Sequence, residues 1–218
     1  MNSLDLVRNY FDREARRFDA IYDLRKPLHQ RVVDRFFRRV VIERFHLICN
    51  LAPSPGRWTA LDVGCGPGRY SIALARAGAA RVLGLDVAAS MITLSCQEAV
   101  QAQMQDRCEF LTAGFLDFAT TEKFDVVVAT GYFDYVEEPL LHLRKMIELC
   151  RGKIFASIPK RWEFRVPIRK LRFALQHGFV RFYSRREIMN LVTLAGLPQE
   201  RVSLIDLGRD WIAILRVG

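Results

Sequence analysis

The run Leu61-Asp62-Val63-Gly64-Cys65-Gly66-Pro67-Gly68-Arg69-Tyr70 constrains this chain more than any other feature. Trp58–Val63 is apolar and reads as a strand, and Tyr70–Ala77 reads as a helix closed by Gly78. Three glycines join them. Glycine lets the backbone turn sharply and lets a ligand approach with no Cβ in the way. A glycine-rich turn that follows a strand and opens a helix is the context a ligand-binding motif needs. The spacing is G-x-G-x-G with an acid two residues before the first glycine. A dinucleotide fingerprint would need its third glycine where Arg69 stands. No Gly-Lys-Ser/Thr follows to make a phosphate loop.

The pattern beyond this turn alternates. Strands are expected at Arg81–Leu85, Cys108–Thr112, Phe124–Ala129 and Lys153–Ile158, and helices at Ala88–Gln103 and Pro139–Cys150, the latter closed near Gly152. Such alternation means βαβ units and a parallel sheet covered on both faces. Ser184–Ala195 reads as a helix with Ser184 as N-cap and Glu187 in the capping-box position. Val202–Leu207 and Trp211–Val217 read as an antiparallel hairpin at a sheet edge. Before the sheet, residues 3–50 show helical spacing, and Leu51-Ala-Pro-Ser-Pro-Gly-Arg57 breaks it. The expected organisation is an N-terminal helical cap over residues 1–52 and a main domain over 53–218, interrupted by a basic insert at 160–183.

The 218 residues are 50% hydrophobic and 26% charged, which excludes wholesale disorder. Five cysteines lack a Cys-x-x-Cys pair and four histidines lack ligand spacing, so neither a metal site nor a disulfide framework is expected, and a reducing cytoplasm is. No apolar run reaches the ~18 residues of a membrane span, and residues 1–20 hold no apolar core of a secretory signal. The net charge of +9 is uneven: residues 61–140 hold five Lys/Arg against eleven Asp/Glu, whereas 160–186 hold nine against one. A uniformly basic nucleic-acid binder would not look like this. The asymmetry points to an anionic partner near the basic flank, with a solvated basic face as the alternative.

The turn resembles motif I of the class I S-adenosylmethionine-dependent methyltransferases. Asp86, 24 residues after Asp62 and at the end of the second predicted strand, extends the resemblance, as do the strand Phe124–Ala129 and the loop Gly131-Tyr132-Phe133-Asp134-Tyr135. It covers roughly residues 58–158 well and 184–216 loosely. It implies an α/β fold with a doubly wound, seven-stranded, mostly parallel sheet, the Rossmann-like methyltransferase fold, carrying the N-terminal cap and the basic lid insert. It also implies S-adenosylmethionine as cofactor. Gly64, Cys65, Gly66 and Gly68 would line its methionine part, with Asp62 near the ammonium group and Asp86 on the ribose. Met91 would pack on the adenine, ordinary core packing being the alternative. Val87, Phe115 and Gly131 are further expected contacts. One departure stands out: the acid often found after the third strand is replaced by Gly114, with Asp117 three residues on.

The same resemblance marks residues for the reaction. Tyr22, with Tyr10 second, would stand near the sulfonium, where an aromatic ring favours a cation; an aromatic stripe packing one helix is the alternative. Asp134 and Tyr132 sit where a general base could act, with His29 and His142 as outside candidates. Arg165 and Arg169, four residues apart in the insert, are expected to receive an acidic acceptor. The expected function is methyl transfer to a small, anionic molecule. The aromatic and basic insert also allows contact with an anionic membrane surface. A non-catalytic cofactor-binding module and a nucleic-acid methyltransferase are the rivals.

Overall fold

The computed structural model describes residues 5, 7–12, 43–48, 53, 57–161, 181–208 and 210–218. Its centre is a seven-stranded sheet of β1 (Thr59–Val63), β2 (Arg81–Asp86), β3 (Cys108–Thr112), β4 (Phe124–Ala129), β5 (Cys150–Pro159), β6 (Val202–Asp206) and β7 (Asp210–Arg216). The strand order is β3-β2-β1-β4-β5-β7-β6. Strands β3 to β5 pair in parallel, and β7 runs antiparallel to both its neighbours, β5 and β6. The expected doubly wound, seven-stranded, mostly parallel sheet is the one observed.

Burial explains the strand sequences. In β1 and β4 nearly every side chain is buried, as central parallel strands covered on both faces require. One face carries α1 (Arg69–Arg76) and α2 (Ala89–Gln101), whose Ile72, Leu74, Ala75 and Ala99 pack with Val82, Val126 and Phe155. Ile48, from the helical residues 43–48, joins this core and is 1% exposed. The other face carries α3 (Pro139–Leu149) and α4 (Arg185–Leu194). In α3, buried Leu143, Met146 and Leu149 form an apolar stripe at helical spacing. Pro139 starts that helix, where its missing N–H costs nothing. In α4, Ser184 and Glu187 form the reciprocal capping box, and Ile188 and Val192 face inward four apart. Among the described residues no helix is long and apolar enough to cross a membrane.

Most ends differ from the sequence reading by one or two residues, and the start of β5 differs by three. Helix α3 ends at Leu149, and β5 begins at Cys150, so Gly152 lies inside a strand rather than at a helix end. The pairing of β4 with β5 shifts register between Phe124 and Val126, and a Cβ on Gly152 would stand 2.3 Å from the Asp125 carbonyl oxygen. The glycine permits a close backbone approach at this irregularity.

The order reverses between β1 and β4: the chain winds outward to β3, then returns to β4 on the other side of β1. Ligands of open α/β sheets bind beyond the carboxyl ends of the strands at such a switch point. The loops after β1, β2, β4 and β5 converge there.

Candidate active site

The chain leaves β1 through Gly64, Gly66 and Gly68, whose φ angles of 69°, 52° and 76° lie in the left-handed region. The Gly64 and Cys65 amides both donate to the Leu85 carbonyl, at 2.8 and 2.9 Å, tying the turn to the end of β2. The three glycines are required for different reasons. A Cβ on Gly64 would stand 2.7 Å from the Tyr132 ring, and one on Gly68 would stand 2.9 Å from both Phe110 and Ser95. A Cβ on Gly66 would meet nothing within 4 Å. Gly64 and Gly68 therefore serve the protein's own packing, and Gly66 borders open space. Cys65 is buried, and burial pushes its thiol well up, Asp62 and Asp86 adding to the effect.

Both acids of the motif hold the turn. Asp62 is fully buried, and the Ser71 hydroxyl on α1 donates to its Oδ2 at 2.6 Å. Its Oδ1 is buried with no hydrogen-bond partner among the described residues. Asp86 accepts the Gly66 amide on Oδ2 and the Ala88 amide on Oδ1, both at 2.9 Å. Each of its oxygens has a second lone pair left to accept a hydroxyl. Ser71 was not singled out in the sequence; a small polar residue in the first turn of an otherwise apolar helix is a weak signal.

The residues after β2 are covered by the N-terminal segment. Arg8 Nε donates to the Val87 carbonyl at 3.2 Å, and Asp12 accepts from the Ser90 amide and hydroxyl at 3.2 and 2.5 Å. Met91, 1% exposed, packs with Ala88 beneath Phe11. The Phe11 ring lies edge-on to Tyr10 and to Tyr135 of the loop after β4. Gly114 closes a turn, its carbonyl accepting the Asp117 and Phe118 amides at 3.0 Å, and Asp117 is exposed. Phe115 is 3% exposed and stacks on His142, so it stands behind Tyr132 rather than facing solvent.

Past β4, the Gly131 amide donates to Ser157 Oγ at 2.7 Å, joining the loop to β5. The Tyr132 hydroxyl lies 2.7 Å from His142 Nδ1 on α3, and burial raises the phenol's pKa, with Asp86's charge adding. Asp134 is buried in the one-turn helix Phe133–Tyr135, and its carbonyl accepts the Arg181 amide at 2.9 Å. Tyr183 donates its amide to Pro159 at the end of β5 and accepts the Arg161 amide, at 2.8 and 3.0 Å. Both ends of the basic insert thus meet at the carboxyl edge of the sheet. Arg44, from residues 43–48, is hydrogen-bonded to Asp210 at the start of β7, with Tyr70 and Asp134 close enough to act on its charge. Neither Arg44 nor Asp210 was picked out in the sequence, since the two are 166 residues apart. Tyr22, His29, Arg165 and Arg169 lie outside the described residues.

Residues 60–153 match the family model of a methyltransferase domain. Ubiquinone biosynthesis O-methyltransferase from Cereibacter sphaeroides is 29% identical over 200 residues, covering 85% of this chain and 80% of that one. The protein of the same name from Pseudomonas fluorescens is 28% identical over 202 residues, covering 88% and 79%. Magnesium protoporphyrin IX methyltransferase from Synechocystis PCC 6803, solved with SAH bound, superposes with a TM-score of 0.77 at 21% identity, covering 99% of this chain and 98% of that one. Residues 60–153 thus carry a methyltransferase domain, and the chain is similar to S-adenosylmethionine-dependent methyltransferases along most of its length.

The methyltransferase's glycine turn fits its cofactor, S-adenosylmethionine, on two observations. Open space at Gly66 leaves a peptide accessible, and the buried Asp62 Oδ1 lacks a donor among the described residues. Burial pushes the Asp62 carboxyl up to about 7; the Ser71 hydroxyl opposes this and the charge of Asp86 adds to it. The folded enzyme then holds a proton that the unfolded chain, with a carboxyl near its ordinary ~3.9, has already lost. The resulting contribution to stability is complete below about pH 4 and gone above about pH 7. Thermal unfolding of the Asp62→Asn variant between pH 4 and 8 is expected to lack this downward slope. A variant with the wild-type slope would show that Asp62 titrates as an ordinary surface acid.

Proposed function

We propose that this methyltransferase modifies an oxygen of a small anionic acceptor, a carboxylic acid or an acidic phenol. The observation that carries the reading is the anchoring of the basic insert. Residues 160–186 hold nine Lys/Arg against one Asp/Glu, and the stem made by Arg161, Arg181 and Tyr183 is bonded to Pro159 and to the loop of Asp134. An acid entering at that edge meets an excess of positive charge, much of it arginine, whose planar fork suits carboxylates. The names of the two ubiquinone-biosynthesis relatives, both O-methyltransferases, support an oxygen as the methylated atom.

In this reading Gly66, with the Gly64 and Cys65 peptides and Gly68 behind them, receives the amino-acid end of the cofactor. Asp62 Oδ1 accepts from its ammonium group, and Asp86 accepts the ribose hydroxyls with the lone pairs that the Gly66 and Ala88 amides leave. Val87, Met91 and Gly131 border the pocket. Bound S-adenosylmethionine supplies an already activated methyl group. The protein has to align the acceptor at about 3–3.5 Å and exclude water. Asp134 takes the proton of a phenol; a carboxylate acceptor needs no base. Of the residues outside the described ones, Tyr22 is assigned to the sulfonium, and Arg165 and Arg169 to the acceptor's charge. A second reading, an acceptor taken from an anionic membrane surface, is favoured by Trp162, Phe164 and Phe173 among the basic residues of the insert.

The test is transfer from methyl-labelled S-adenosylmethionine to a panel of hydroxylated aromatic carboxylic acids, each beside its carboxyl ester, which keeps the phenol as acceptor and removes the negative charge. The acids are expected to accept label, at a rate that falls as ionic strength rises. Equal rates on the neutral partners, or transfer to RNA or DNA alone, would overturn the reading.

A further inference from the structure

We propose that His142 is a positioning residue for the cofactor-binding turn, acting through Tyr132. The proposal rests on the reading of Gly64–Gly68 as the cofactor turn and adds a residue that no motif of the sequence carries.

The argument begins at Gly64. The Tyr132 Cδ2 atom stands 2.7 Å from where a Cβ of Gly64 would be, so the ring lies directly against this peptide. The loop after β4 thereby touches the loop after β1 through one edge of the aromatic ring. The position of the Gly64 peptide therefore depends on where that ring is held. Three contacts hold it. Its hydroxyl lies 2.7 Å from His142 Nδ1. Phe133 and Phe115 meet it edge-on, with centroids 5.9 and 6.4 Å away. The apolar contacts allow the ring to slide or tilt, and the hydrogen bond fixes its far end.

His142 is itself fixed. It belongs to the buried stripe of α3, and its ring stacks on Phe115 with centroids 6.0 Å apart and planes 29° apart. Lys145, one turn further along α3, lies over the Phe115 ring at 5.4 Å and donates to the Leu116 and Phe118 carbonyls. Helix α3, the loop after β3 and the loop after β4 are thus joined at the imidazole, and Tyr132 passes that constraint to Gly64.

The charge state of the pair fits a structural role. Burial, with Lys145 adding to it, pushes His142 down to about 4, and burial keeps the Tyr132 phenol protonated. Near neutrality two uncharged groups share one hydrogen bond. Neither is a base for the acceptor, and the hydrogen bond serves geometry.

The experiment compares His142→Phe, His142→Gln and Tyr132→Phe in the full chain. Binding of S-adenosylhomocysteine is measured by calorimetry, alongside thermal unfolding and the pH dependence of kcat at saturating cofactor. His142→Phe keeps the ring stack and loses the hydrogen bond. It is expected to weaken S-adenosylhomocysteine binding about tenfold, with kcat and its pH profile little changed. Tyr132→Phe should weaken it by the same factor, and the double variant no further. His142→Gln, which can still bond the phenol, should recover part of the loss. Wild-type affinity in a folded His142→Phe or Tyr132→Phe variant would overturn the proposal. So would a fall in kcat with a lost pH limb at unchanged affinity, which would make His142 a base. Failure of the wild-type chain to bind S-adenosylhomocysteine would instead remove the cofactor reading beneath it.

Discussion

Arg44→Ala is expected to destabilise the enzyme by about 3–5 kcal/mol, the range for removing one partner of a buried ion pair. The side chains of Arg44 and Asp210 are 15% and 9% exposed, so the deletion leaves a carboxylate with little access to water. The loss also acts on the fold beyond the pair. Arg44 stands in the segment whose Ile48 is buried with the α1 and α2 core, and Asp210 opens β7, in register with Pro159 of β5. For a chain of this length the shift in thermal midpoint is roughly 10 °C. The check is thermal and denaturant unfolding beside the double variant Arg44→Met, Asp210→Leu, which should regain most of the stability because no charge remains to be solvated. A single-variant cost below about 1 kcal/mol would mean that water reaches the pair, as in surface ion pairs.

Gly66→Val is expected to leave a folded protein that no longer binds S-adenosylmethionine. A Cβ at this position meets nothing within 4 Å, so no internal clash opposes folding. The φ of 52° sets the folding cost, roughly 1–2 kcal/mol for a residue with a side chain in the left-handed region. The added isopropyl group occupies the open space beside an amide that Asp86 holds at 2.9 Å. Gly68→Val makes the contrast: its Cβ strikes Phe110 and Ser95 at 2.9 Å, so its main effect is on stability. Calorimetry with S-adenosylhomocysteine and thermal unfolding separate the two outcomes. Retained binding in Gly66→Val would show that the cofactor does not approach this peptide.

What the sequence reveals about the molecule follows the range of each interaction. Strand β4 has the predicted ends because its apolar, β-branched run stops sharply between Lys123 and Thr130-Gly131. The capping box of α4 is legible because its two partners are three residues apart. The start of β5 is not, because Gly152 serves a backbone approach to Asp125 that exists only once β4 is alongside. In the site, the acids Asp62 and Asp86 are visible as part of a motif, yet their partners Ser71 and the Gly66 amide emerge only in three dimensions. The three glycines look alike in sequence; what separates Gly66 from Gly64 and Gly68 is a Tyr132 ring and a Phe110 ring from distant strands. Phe115, expected at the cofactor, also stacks on His142, which no local pattern announces. Arg44 and Tyr183 have no local signature, since their hydrogen-bond partners Asp210 and Phe133 are 166 and 50 residues away.

The closed neck of the insert has an evolutionary consequence. Arg161 and Tyr183 join backbone to backbone where β5 ends, so the chain re-enters the domain beside the point at which it left. Residues between those two points can lengthen, shorten or change character with little effect on the strand register around them. The half of the domain that holds the turn of Gly64–Gly68 is built from β1, β2 and their helices and is insulated from such exchanges. On the proposed reading of this insert as the acceptor's contact, descendants of one ancestor diversify in what they modify by grafting this single cassette, while inheriting their donor chemistry unaltered.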